Sequence, residues 1–210
     1  MGRKIGWWVV VALGWLVAAY GLATAFLGDR VYPSELADSF RARPWGIFTH
    51  ALFGSIAMIL GPWQFRRGLR WNRALHRWLG RVYLGGCLLT GGAGLYLAPY
   101  SDGGMMTHLG FGSLAVILLG VSATAYRAIR NRQVARHREW MIRSYALIFA
   151  GVTLRIELPL LIAVLGQFQS AYLIVAWLCW VPNLLAAEWY LWRSRPTSVA
   201  TLPRVLGEAA

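Results

Sequence analysis

The chain has 210 residues, of which 58% are hydrophobic and only 14% charged, with a formal net charge of +13. That length suits one domain, and that apolarity excludes an ordinary soluble one. The charge excludes nucleic acid as a needed partner, because the basic residues gather in particular connections between apolar stretches, where membrane topology accounts for them.

In chain order, six apolar stretches of spanning length, about 20 residues each, fall near 5–27, 45–65, 77–98, 106–127, 141–165 and 171–192. Helix is the only form open to them. Lipid offers backbone groups no partner, and no stretch alternates as a barrel strand does. The first stretch follows Arg3 and Lys4 and ends near Ala23-Thr24-Ala25, imitating a secretory signal. Its apolar run is too long and too rich in tryptophan, so a retained helix is expected. Residues 28–44 form the one sizeable loop, punctuated by Asp29, Pro33, Glu35, Asp38 and Pro44.

Between spans two and three lie Arg66, Arg67, Arg70, Arg73, Arg77 and Arg81; between four and five lie Arg127, Arg130, Arg132, Arg136, Arg138 and Arg143. The connections after spans three and five carry neither Lys nor Arg. This alternation predicts a multi-pass protein of the inner (cytoplasmic) membrane with both termini in the cytoplasm. Cys87 and Cys179 fall inside spans three and six and read as small apolar fillers.

The chain also repeats itself. Thr49-His50-Ala51-Leu52-Phe53-Gly54-Ser55 returns as Thr107-His108-Leu109-Gly110-Phe111-Gly112-Ser113. Downstream, Asn72-Arg73, His76-Arg77, Arg81 and Tyr83 return as Asn131-Arg132, His137-Arg138, Arg143 and Tyr145. The offset drifts from 58 to 62 residues, so small insertions separate two copies of one helical hairpin. Residues 45–104 form the first copy and 105–165 the second, with 5–27 and 171–192 as flanking helices of a single integral membrane domain. The expected fold is all-α: a polytopic bundle of six transmembrane helices whose core of four comes from the duplicated hairpin.

All four histidines of the chain fall in the repeat, two per copy. Spans two and four run in one direction and three and five in the other, so the copies are parallel repeats related by a pseudo-two-fold axis along the membrane normal. That axis maps His50 onto His108 and His76 onto His137. Two imidazoles facing each other across it can ligate one haem iron from opposite sides. The expectation is two b-type haems stacked across the bilayer, His50 and His108 holding the outer one and His76 and His137 the inner. Gly54, Gly80 and Gly112 each follow a histidine by four residues, on the same helix face, and would leave bare ground for a porphyrin. No Cys, Asp or Glu stands at ligand spacing from the histidines, which argues against a zinc or di-iron site.

Span five adds Arg155 and Glu157, followed by Pro159. At 1.5 Å per residue Arg155 stands about 27 Å above His137, level with His50 and His108. A charge at such depth marks a functional site. Arg155 is expected to neutralise a propionate of the outer haem, and Arg77, Arg81, Arg138 and Arg143 those of the inner one. Another reading stays open: a cofactor-free small transporter, lipid-binding or assembly protein. There the histidines pack or relay protons beside a polar pocket around Arg155 and Glu157.

Two resemblances bear on the choice. Gly61-Pro62-Trp63-Gln64-Phe65, His76-Arg77-x-x-Gly80-Arg81-x-Tyr83 and His137-Arg138-x-Trp140-Met141-x-Arg143-Ser144-Tyr145-Ala146-Leu147 resemble the bacterial membrane family called domain of unknown function 2306. So do Thr153-Leu154-Arg155, Pro159 and the stretch from Trp180-Val181-Pro182-Asn183 to Glu188. That resemblance covers about residues 45–192 and implies no activity. The placing of histidines on the middle four of six helices resembles cytochrome b-561, which implies electron transfer across a membrane through two haems b. The partners expected are then membrane lipid and a quinone or small redox donor or acceptor, in a haem-dependent oxidoreductase of the quinone or ferric reductase type.

Overall fold

A computed structural model describes residues 2–66 and 72–194, with side chains from Ile5 onward. Arg67 and Arg70 lie outside the described residues. Every regular element described is helical. Helix α1 is Gly2–Leu27, the short α2 is Ala37–Arg41, α3 is Pro44–Gln64, α4 is Arg73–Leu97 and α5 is Met105–Arg130. Then come α6 (Val134–Ile148), α7 (Ala150–Leu165), α8 (Phe168–Leu178) and α9 (Val181–Arg193). Grouped as α1, α3, α4, α5, α6–α7 and α8–α9, they make six segments long and apolar enough to cross a membrane.

Local chemistry sets the ends. Pro44 opens α3 at a position where its missing N–H costs nothing. The Asn72 side chain caps α4 by accepting the Leu75 N–H at 3.1 Å. Gly103 (φ 102°) and Gly104 (φ 66°) turn the chain into α5, and Gly166 (φ 71°) ends α7, conformations that an L side chain resists.

Three details depart from the sequence reading. The loop at 28–44 contains two 3-10 turns and α2. Helices α4 and α6 start before their apolar stretches, at Arg73 and Val134, because long basic side chains let a helix emerge into the headgroup layer. Spans five and six are each interrupted, at Phe149 and at Cys179–Trp180. Pro182, which supplies no N–H, accounts for the second break; nothing in the structure explains the first.

The four repeat helices form a ring: α3 packs on α4, α4 on α5, α5 on α6, and α6 closes more lightly on α3. Helices α3 and α5 therefore stand diagonally opposite, as do α4 and α6. Outside the ring, α1 lies against α3 and α7, α8 against α5 and α7, and α9 against α6. Lipid supplies no hydrophobic drive for association, so small residues make the close seams. Gly14 of α1 meets Met58, and Gly21 meets Ser55 and the Ala51 carbonyl. Gly86 brings α4 to within 3.1 Å of the Phe53 carbonyl oxygen, measured from where a Cβ would stand. Where α3 ends at Gln64, the Arg66 guanidinium lies 5.0 Å from the Trp7 ring and 5.2 Å from Trp63, tying α1 to α3. The end of the bundle carrying Arg66, Arg77, Arg130 and Arg138 is called the basic end below.

Candidate functional site

The repeated phrase places His50 in the second turn of α3 and His108 in the first turn of α5, both away from the basic end. His50 Nδ1 lies 3.0 Å from the Thr90 carbonyl oxygen on α4, while the Thr90 hydroxyl donates to the His50 carbonyl at 2.9 Å. Between Gly46 and Phe65 every residue of α3 is at least partly buried except His50, which is exposed. Its ring lies against Gly94: a Cβ there would stand 3.3 Å from His50 Nδ1. That same Gly94 faces Ala115 of α5 at 3.8 Å. Ala115 is seven residues after His108, hence on the same helical face. His50 and Ala115, which shares a helical face with His108, thus both come within 4 Å of where a Gly94 Cβ would stand.

His108 Nε2 is held 3.0 Å from the Ser101 carbonyl oxygen, in the turn after α4. At the basic end, His137 Nδ1 lies 2.8 Å from the Ala125 carbonyl oxygen of α5. His76 is half-buried in the first turn of α4. Three histidines thus commit one ring nitrogen to a backbone carbonyl, a contact that fixes an imidazole's orientation and tautomer while leaving the other nitrogen available.

Arg155 is close enough to His50 for its charge to act on the imidazole. Its Nη1 donates to the Gly151 carbonyl at 2.9 Å, and its guanidinium sits 5.0 Å from the Tyr20 ring of α1. Glu157 does not join them. Two residues on, it points to the opposite side of α7, toward Cys179, so Arg155 and Glu157 line no common pocket.

Two further expectations are corrected. Gly54 and Gly80 leave no bare ground: a Cβ on Gly54 would meet the Thr90 hydroxyl at 3.0 Å and on Gly80 the Gln64 Oε1 at 3.2 Å, whereas on Gly112 it would make only an ordinary contact with the Ala98 Cβ at 3.7 Å. Gly54 and Gly80 each let a neighbouring side chain close in. Nor is Arg143 free for a propionate. Its Nε and Nη2 donate to Glu188 Oε1 and Oε2 at 2.5 and 2.9 Å, which joins α6 to α9. Arg77 is exposed and donates to its own helix, at the Arg73 carbonyl (3.2 Å), while Arg81 and Arg138 are exposed at the basic end.

Other residues come together without having been singled out as a site. Tyr83, fully buried, shares a 2.9 Å hydrogen bond with Ser144, and Cys87 Sγ lies 3.6 Å from the same hydroxyl. Tyr83 and Tyr145, equivalent in the repeat, both lie against Gly61. At the break in span six, the Thr153 hydroxyl donates to the Cys179 carbonyl. Asn183 Nδ2 donates to both, at 3.1 Å to Thr153 Oγ1 and 3.0 Å to the carbonyl. Apart from the two cysteines, all of these stand in the runs quoted above, so the signal was in the sequence as a motif whose purpose the sequence did not give.

Those runs match the sequence profile of predicted membrane proteins, DUF2306, over residues 47–191. The chain belongs to the DUF2306 family. No curated protein and no solved structure matches it. Within this DUF2306 protein, the residues of those runs divide between two jobs. Arg143 with Glu188, and Thr153 with Asn183, join span five to span six; Gly61, Tyr83, Ser144 and Tyr145 join the two hairpins near the basic half. Among the described residues, no group of three or more His, Cys, Asp or Glu could hold a metal ion.

Proposed function

We propose that this DUF2306 protein carries electrons across its membrane through two b-type haems, His50 and His108 holding one and His76 and His137 the other. The observation that carries the reading is the meeting at Gly94. An exposed imidazole on α3 and the face of α5 that bears its repeat equivalent both come within 4 Å of where a Gly94 Cβ would stand. A haem with two axial histidines needs only two protein ligands. When bound, haem supplies one-electron redox chemistry. The chain's own residues would orient the imidazoles through the Thr90, Ser101 and Ala125 carbonyls, balance a propionate with Arg155, and keep water from the buried edges. A quinone or small redox molecule is the proposed donor or acceptor. The proposed setting is the inner membrane, with the basic end and both termini in the cytoplasm.

The test is a visible spectrum of the full chain purified in detergent after haem-supplemented expression, oxidised and then reduced with dithionite. Soret and α bands that sharpen on reduction are expected; a featureless spectrum removes the reading. The interrupted spans five and six favour a second one, a cofactor-free transporter, lipid-binding or assembly protein, since broken helices commonly mark substrate paths. That reading predicts the featureless spectrum.

A further inference from the structure

The seam between α7 and the break in span six carries a group that the redox reading does not use. Thr153 and Glu157 are four residues apart and share one face of α7. Thr153 reaches the Cys179 carbonyl, and Glu157 lies near the Cys179 side chain. One carboxyl oxygen of Glu157, Oε2, is buried and has no hydrogen-bond partner among the described residues. The donors around it are already committed. Asn183 Nδ2 is spent on Thr153 Oγ1 and the Cys179 carbonyl, and the Thr153 hydroxyl is spent on that carbonyl. The nearest cation in sequence, Arg155, faces the other side of α7, with Gly151 and with Tyr20 of α1. The titratable neighbour on the packed elements is Cys179.

An ionised carboxylate in a membrane span without a donor or a counter-charge forfeits its solvation for nothing, whereas the neutral acid forfeits a single hydrogen bond. A metal cation would need several free oxygens, and here the hydroxyl and the carbonyl are engaged. We propose that Glu157 is a proton-binding site inside the bilayer, its carboxyl standing as the neutral acid beside the break at Cys179–Trp180. The site is independent of whether haem is bound.

Dicyclohexylcarbodiimide tests this on the wild-type chain in proteoliposomes. A protonated carboxyl in apolar surroundings adds across the carbodiimide, and the O-acylisourea rearranges to a stable N-acylurea with no atom lost. Peptide mass spectrometry should find the adduct on Glu157 at neutral pH. Labelling should fall several-fold at alkaline pH and vanish in E157Q. Glu188, which accepts two hydrogen bonds from Arg143, should stay unmodified. An unmodified Glu157 in monodisperse protein overturns the proposal, and so does equal labelling of Glu188, which would report access alone. Protection of Glu157 by sodium but not by choline also overturns it, since the ligand would then be a metal cation.

Discussion

Arg143 and Glu188 face each other across spans five and six with two parallel hydrogen bonds, Nε to Oε1 at 2.5 Å and Nη2 to Oε2 at 2.9 Å. The fork-on-carboxylate geometry matters more than the charges, because only a guanidinium delivers two donors in one plane. Arg143 is 12% exposed and Glu188 46%, so part of the pair's energy is screened away.

R143A should therefore cost roughly 1–2 kcal/mol, and R143K should recover less than half of it. Thermal unfolding in detergent of R143A, E188A and the double variant measures the coupling. If the double variant loses the sum of the single losses, the pair contributes nothing of its own.

A second expectation concerns close helix seams. A methyl group on Gly110 would stand 2.8 Å from the Ala176 carbonyl oxygen, which is backbone of α8 and cannot rotate away. G110A should lower stability by about 1–3 kcal/mol. Gly120, ten residues along the same helix, has nothing within 4 Å of where its Cβ would be, so G120A should be neutral within about 1 kcal/mol. Equal shifts in melting temperature for the two would mean that α5 and α8 do not pack as described.

That contrast shows what the sequence could and could not express. Six spans were legible because bilayer thickness imposes a length on any apolar helix, and the repeat was legible because duplicated hairpins keep their residues. The glycines were misread. Gly54 and Gly80 share the spacing that a flat cofactor would need, but the same spacing serves the Thr90 and Gln64 side chains arriving from neighbouring helices. Sequence gives the missing Cβ without giving what fills its place. Arg143 shows the same limit: its charge was plain, and its partner 45 residues away on another helix was not.

Orientation gives a third expectation. With the basic end in the cytoplasm, a fluorescent protein fused after the last helix should fold and shine, while alkaline phosphatase fused there should be inactive. The reverse result would place the arginine-rich connections outside and overturn the assigned topology.

The histidines give the last expectation, which follows from the ring. Because α3 and α5 are diagonal partners and His50 and Ala115 both come within 4 Å of where a Gly94 Cβ would stand, His50 and His108 should act as one pair. H50A and H108A should each remove the same spectral component and leave the other, and H137A should remove the remaining one. G94L offers a sharper check, since a side chain there crowds the His50 ring without replacing any proposed ligand. It should shift or abolish the component lost in H50A without touching the one lost in H137A. If H50A and H108A instead remove different components, the imidazoles are paired otherwise than the repeat requires, and the proposed pairing of His50 with His108 fails even if haem is bound.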